Sequence, residues 1–161
     1  MKGLKADLKI QQYVSKSLIF AIGTSYDAIW RDFSKRLRKE NCGFLHAVIL
    51  ISLVFEEDRG QAVTPSQLAQ TFKTSRGNIS HCISYLEKKQ FLRRALDPQD
   101  ARSYRLTLTP PGRRTAMRLV KVIDDLEGFF ESKFGASEIL SAVALISGFE
   151  RAYRERLAGS S

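Results

Sequence analysis

The residues of this chain best equipped for chemistry are Arg76, Asn78, Ser80, His81, Ser84 and Lys88. They bring donors and acceptors but no nucleophile with a base beside it. The chemistry open to them is recognition, because such side chains bond base edges and phosphate oxygens in a DNA groove. Among them run Ile79, Cys82, Ile83 and Leu86 at spacings of three and four, so a single helix would turn an apolar face inward and this polar face outward. A second set stands at Asp100, Arg102 and Arg105 in PQDARSYRLTLT, Pro98 to Thr109. There Tyr104, Leu106 and Leu108 alternate with Arg105 and Thr107, the period of a half-buried strand, and the polar turn before them makes a hairpin with arginine at its tip. A guanidinium in that place suits the narrow minor groove of A·T-rich DNA, with Asp100 shaping the tip.

Other chemistries find no footing. The chain has no Gly-rich phosphate loop, no nucleophile elbow and no histidines paired at ligand spacing, which argues against an enzyme. His46 and His81 lack companions for a metal site, and no cofactor is called for. Two cysteines are too few for a disulfide framework. Cys82 falls on the inward helical face and reads as core. Cys42 sits at a helix junction, open to exposure, and keeps a redox-responsive regulator as an alternative reading. With no signal-like N-terminus and no run near the roughly 20 apolar residues of a membrane span, a cytoplasmic protein without membrane attachment is expected.

Charge is concentrated where those recognition residues lie. Lys and Arg total 26 against 17 acids, a net +9. Between Thr64 and Arg114 there are ten bases and three acids, so +7 of that excess falls in a third of the chain. Neutralising phosphates requires such a concentration.

The positioning elements can be read around this segment. Apolar residues from Leu4 to Lys39 recur at helical spacing, with Gly23 the weak point and Asn41 and Gly43 the stop. Phe44 to Phe55 is apolar nearly all round, as in a helix buried mid-fold. Thr64-Pro65-Ser66-Gln67 offers a cap, an N1 proline and a capping box, starting a helix that runs to about Lys73. Thr74 or Ser75 caps the next helix, which reaches about Gln90. Thr64, Ser66 and Ser75, at these two helix starts, join the residues assigned to DNA. Helices from Thr109 to Phe134 and from Ser137 to Leu157 close the chain. The expectation is a mainly α fold, a winged helix-turn-helix with a short β-hairpin wing. Long N- and C-terminal helical regions, 1–40 and 113–161, flank the DNA-binding region 41–112 in one compact subunit.

From Thr64 to Gly112 the sequence resembles the MarR family of dimeric bacterial transcriptional regulators. The resemblance rests on Leu68-Ala69, Leu86-Glu87-Lys88-Lys89, Asp100 with Arg102, and Leu108-Thr109 followed by Gly112. It implies a homodimer, with the long N- and C-terminal dimerisation helices of 1–40 and 113–161 as the dimerisation region, on a pseudo-palindromic double-stranded operator, acting as a repressor. It also implies a small aromatic or phenolic effector, to which Tyr26, Trp30 and His46 are assigned. Two departures stand out. Gln90 occupies a place where the family usually has glycine, which implies a different turn into the strand. Ser80-His81 replaces the frequent Thr-Arg, which implies an altered base preference. A winged module that binds protein or RNA is the other class to separate.

Overall fold

In the computed structural model the described residues are 10–97 and 100–159, and the side chains at 97 and 100–103 lie outside that set. The helices are α1 (Leu18–Lys39), α2 (Phe44–Asp58), α3 (Pro65–Thr71), α4 (Arg76–Lys88), α5 (Pro110–Phe134) and α6 (Ala136–Ala158). Strands β1 (Leu92–Asp97) and β2 (Asp100–Leu108) stand between α4 and α5. The chain is mostly helical with one antiparallel two-stranded wing, a winged helix-turn-helix. It divides into two compact units, up to Leu119 and from Val120 onward.

In the first unit α2 supplies the centre. Its apolar sequence buries Ala47, Ile49, Leu50, Leu53 and Val54. Around them close Leu37 from α1, Ile79, Ile83 and Leu86 from α4, Leu92 from β1 and Leu119 from α5, each essentially without exposure. Burying a side chain of that size is worth about 1.5–3 kcal/mol, so this cluster holds the unit together. In the second unit α6 buries no residue at all.

The long N-terminal helix is corrected. Residues 10–16 are helical, Ser17 is extended (φ −92°, ψ 117°) and α1 begins at Leu18, then runs unbroken through Gly23. Gly23 has nothing within 4 Å of where a Cβ would be, so no packing forces a kink there. At Ser17 the N–H closes the preceding turn on the Val14 carbonyl while its own carbonyl accepts the Ala21 N–H, so one residue ends one helix and starts the next. Residues 4–9 of the expected helix lie outside the described residues.

Helices α1, α3 and α4 finish alike. Asn41, Lys73 and Gln90 adopt positive φ (56°, 47° and 58°), and around each a pair of backbone bonds forms the Schellman pattern. At Gln90 these are Gln90 N–H to the Glu87 carbonyl at 2.8 Å and Phe91 N–H to the Leu86 carbonyl at 2.9 Å. Gln90 thus leads into the strand through a left-handed turn. Glutamine takes the left-handed conformation that glycine adopts freely, and bears its steric cost.

Candidate nucleic-acid interface

The helix-turn-helix is built from local capping. Thr64 Oγ1 accepts the Gln67 N–H at 3.3 Å while Gln67 Oε1 accepts the Thr64 N–H at 2.8 Å, closing the box in front of Pro65. Ser75 Oγ accepts the Asn78 N–H at 3.1 Å and starts α4. Thr64 and Ser75 thus hold helix starts in place, and Ser66 is exposed on the first turn of α3.

Helix α4 divides as its sequence requires. Ile79, Cys82, Ile83 and Leu86 are buried, and Arg76, Asn78, Ser80, His81, Ser84 and Lys88 are all exposed. Two of the exposed side chains have partners within the fold. Asn78 Nδ2 donates to Thr74 Oγ1 at 3.0 Å. Ser84 Oγ accepts from Arg94 Nη2 of β1 at 3.0 Å, and Arg94 Nε also stands 3.6 Å from Glu87. Helix α4 is therefore tied to the base of the wing through its own outer face.

In the wing, Leu92 pairs with Leu108, Arg94 with Leu106 and Leu96 with Tyr104, after which the register jumps to Asp97 with Asp100. Leu106 is buried, and its N–H also reaches the Val63 carbonyl at 3.2 Å, a single bridge from the segment before α3. Arg105 is half-buried. Tyr104, expected on the inner face, is 50% exposed, and its partner Leu96 is 67% exposed, because the hairpin extends beyond the core toward its tip. Arg102 and Asp100 lie on β2 beside the register jump, with side chains outside the described residues, as are Pro98 and Gln99 of the turn.

Sequence reasoning missed Glu57. Its Oε1 accepts the Leu108 N–H at 2.7 Å and its Oε2 receives Arg113 Nη1 at 3.2 Å, while Arg113 also pairs with Asp58. One carboxylate thus fixes the base of the wing and the start of α5. A signal existed: Glu56, Glu57 and Asp58 crowd the C-terminal turn of α2, where the helix dipole disfavours negative charge unless cations answer it. The pairing also removes Arg113 from the charge available to phosphates. Arg93, bonded to Thr107 Oγ1 at 3.2 Å, is likewise engaged across the hairpin.

Thr109 joins the remaining pieces. Its hydroxyl donates to the Gln90 carbonyl at 2.6 Å and accepts the Gly112 N–H at 3.1 Å. A Cβ on Gly112 would lie 1.6 Å from the Phe91 carbonyl oxygen, so only glycine lets α5 approach the start of the wing this closely.

The three residues assigned to an effector separate. Tyr26 and Trp30 stack at 5.4 Å between ring centroids, and Trp30 continues edge-on to Phe44 at 4.9 Å. His46 packs elsewhere, parallel to Tyr85 of α4 at 4.3 Å. A depression of the first unit between the C-terminal half of α2 and α3, lined by Ser52, Glu56, Gln61, Gln67, Leu68 and Thr71, includes none of the three. Cys42, open to exposure in the sequence reading, is 2% exposed, since the Schellman turn at Asn41 folds it under α1. Burial, with the Glu40 charge adding to it, pushes its thiol up to about 11. Burial also raises the Cys82 thiol. Among the described residues no cluster of His, Cys, Asp and Glu could hold a metal, and no helix is long and apolar enough to cross a membrane.

A capped helix pair, an outward polar face on its second helix and an arginine-bearing hairpin locked to it define a DNA-binding winged helix-turn-helix of the kind that regulates transcription. The MarR family model matches residues 57–104, so this segment is similar to MarR-family transcriptional regulators. The chain is 27% identical over 114 residues, 70% of this chain and 78% of the relative, to the uncharacterised HTH-type transcriptional regulator YdcH of Bacillus subtilis. The fold is similar to the transcriptional regulator BldR of Sulfolobus solfataricus, with TM-score 0.66, 25% identity and coverage of 89% of this chain and 97% of that one. It is also similar to the transcriptional repressor CouR in a structure bound to a 23-mer DNA duplex, with TM-score 0.71, 21% identity and coverage of 86% and 95%.

Proposed function

We propose that the chain acts in the cytoplasm as a homodimeric repressor that grips a pseudo-palindromic DNA operator and is modulated by a small aromatic or phenolic acid. The observation that carries DNA reading is the outer face of α4: Arg76, Asn78, Ser80, His81, Ser84 and Lys88 are exposed together beside the wing. In this reading α4 enters the major groove, where Asn78 and His81 reach base edges and Arg76 and Lys88 reach phosphates. Ser84 and Arg105 act from the helix-wing junction, and Thr64, Ser66 and Ser75 bring helix starts toward the backbone. Arg102 enters the adjacent minor groove, with Asp100 shaping the tip.

The dimer is supported by apolar surface that this chain leaves uncovered, Ile19 and Phe20 on α1 and Leu140, Val143 and Ile146 on α6. Residues 1–40 and 113–161 would then form the dimerisation region, and two-fold symmetry sets half-sites about 10 base pairs apart. Repression takes its support from the name of the similar CouR, and the aromatic effector from the exposed Tyr26 stacked on Trp30. The redox alternative is disfavoured by two buried cysteines whose thiols resist ionisation.

The test is a gel shift of the purified protein against genomic fragments and against random duplex across a salt titration, with light scattering on the free protein. Steep salt dependence with a specific component that survives supports the reading, whereas equal binding to RNA or no preference among duplexes defeats it. A monomer at micromolar concentration would overturn the dimer.

A further inference from the structure

His46 occupies the third helical position of α2, where its Nδ1 accepts the Gly43 N–H at 3.2 Å. The same ring lies flat on Tyr85 of the reading helix, with centroids 4.3 Å apart and planes 8° from parallel. Tyr85 donates its hydroxyl to the Asn41 carbonyl at 2.9 Å, and Lys89 Nζ stands 5.7 Å from the ring centroid. Through one stack and one hydrogen bond, Tyr85 thus fastens α4 to the turn between α1 and α2. His81 lies one helical turn before it, on the face assigned to DNA. The acceptor role of Nδ1 requires a neutral imidazole carrying its proton on Nε2, because an imidazolium has no lone pair to offer.

We infer that His46 is a positioning residue for the reading helix, and that its protonation loosens that helix by releasing Gly43 and setting an imidazolium against His81. The inference concerns the DNA-reading helix proposed above but is tested first without DNA. The titratable and charged groups around this contact are His81, Tyr85 and Lys89 on α4, and Glu40 and Cys42 on the segment entering α2. Glu40 is engaged by Arg118 Nε at 2.8 Å, and the Cys42 thiol is held neutral. His81 is the group whose charge acts on His46.

The direction of the pH effect follows. Burial first, and His81 second, hold His46 below its ordinary 6.5. In the unfolded chain the imidazole keeps its ordinary value of about 6.5, so as pH falls through it the unfolded state binds a proton before the native state does. The contact is whole above that value and is lost as pH drops toward and through the depressed native one.

The experiment is a backbone and histidine NMR titration of the full chain, from about pH 7.5 to about pH 4.5, a window that starts above the ordinary histidine range and continues well below it. The amide signals of Gly43, His81 and Tyr85 should move together with the His46 ring, and at the same midpoint. The comparison is His46→Gln, since glutamine at this helix position accepts the same N–H without titrating. In that variant the Gly43 and Tyr85 amides should stay still over the same range. A labelled mixed-sequence duplex of about 24 base pairs then reads DNA binding, and the parent should lose about fivefold in affinity relative to His46→Gln over the range, the scale of one lost cap. If the His46 ring titrates while Gly43 and Tyr85 do not respond, or if the variant matches the parent at every pH, the inference is wrong. The amide titration decides it in the parent alone should the variant fail to fold. If neither protein binds the duplex, DNA reading falls while the amides still decide the role of His46.

Discussion

Helices α2 and α6 are both rich in apolar residues and use them in opposite ways. Of its 15 residues α2 buries five, including Ile49, Leu50 and Leu53 at no measurable exposure. Of its 23 residues α6 buries none, and leaves Leu140 70% and Ile146 61% exposed. Helix α1 shows both behaviours along its length: Phe33 and Leu37 are buried near one end, while Ile19 is 76% exposed near the other. A single exposed leucine needs no explanation, but a run of them along successive turns does. The contrast teaches that the core around α2 closes within this chain, whereas the apolar residues of α6 and of the first half of α1 stay exposed.

The sharpest way to break the self-sufficient side is at Gly112. A methyl group there meets the Phe91 carbonyl carbon and oxygen, which are backbone and cannot swing aside. Gly112→Ala should therefore cost on the order of 3 kcal/mol or more, at the upper end of overpacking effects. Thermal unfolding by circular dichroism would show a midpoint many degrees lower, or no folded protein. A variant with an unchanged midpoint would mean that α5 starts further from the wing than this geometry places it.

The other side breaks without unfolding. Leu140→Asp together with Ile146→Asp removes no buried contact within the chain, so helix content should persist while the mass by light scattering halves. Loss of the second reading head should weaken operator binding by about 100-fold, the lower end of what paired binding confers. If the variant stays dimeric and binds as before, the exposed face of α6 has some other use and the contrast with α2 must be explained differently.

How far the sequence reveals this division depends on how local each cause is. The inner and outer faces of α4 and the Thr64 capping box follow from residues three and four apart, and both are legible residue by residue. The Arg113 pairing is not, because its acids lie 55 and 56 positions upstream and meet it only when α2 packs beside the wing. The charge counted between Thr64 and Arg114 therefore overstates what is free for phosphate. Tyr104 misleads for a similar reason: alternation tells which face a residue takes, and the distance from the core tells whether anything covers that face. His46 is grouped with Tyr26 and Trp30 only through resemblance, and packing sends it to Tyr85 instead. Gly112 is recognisable as a landmark in the sequence, but the reason for it, a backbone of another element within touching distance, exists only in three dimensions.

The smallest expected effect lies at Gln90, and it sharpens the account of the winged unit by improving it. The residue holds φ 58° at the end of α4, and the two Schellman bonds around it are already formed. Glycine can adopt that conformation without the roughly 1–2 kcal/mol penalty that a Cβ brings to the left-handed region. Part of that gain is returned because glycine is also freer in the unfolded chain, which leaves a net of about 0.5–1 kcal/mol. Gln90→Gly should thus raise the thermal midpoint by about 1–4 °C for a chain of this size. Gln90→Ala keeps the Cβ and so the strain, and separates this cause from loss of the glutamine side chain. Should alanine stabilise as much as glycine, relief of backbone strain is not the source. Should glycine lower the midpoint, the glutamine side chain holds something at the helix-wing junction that outweighs its backbone cost.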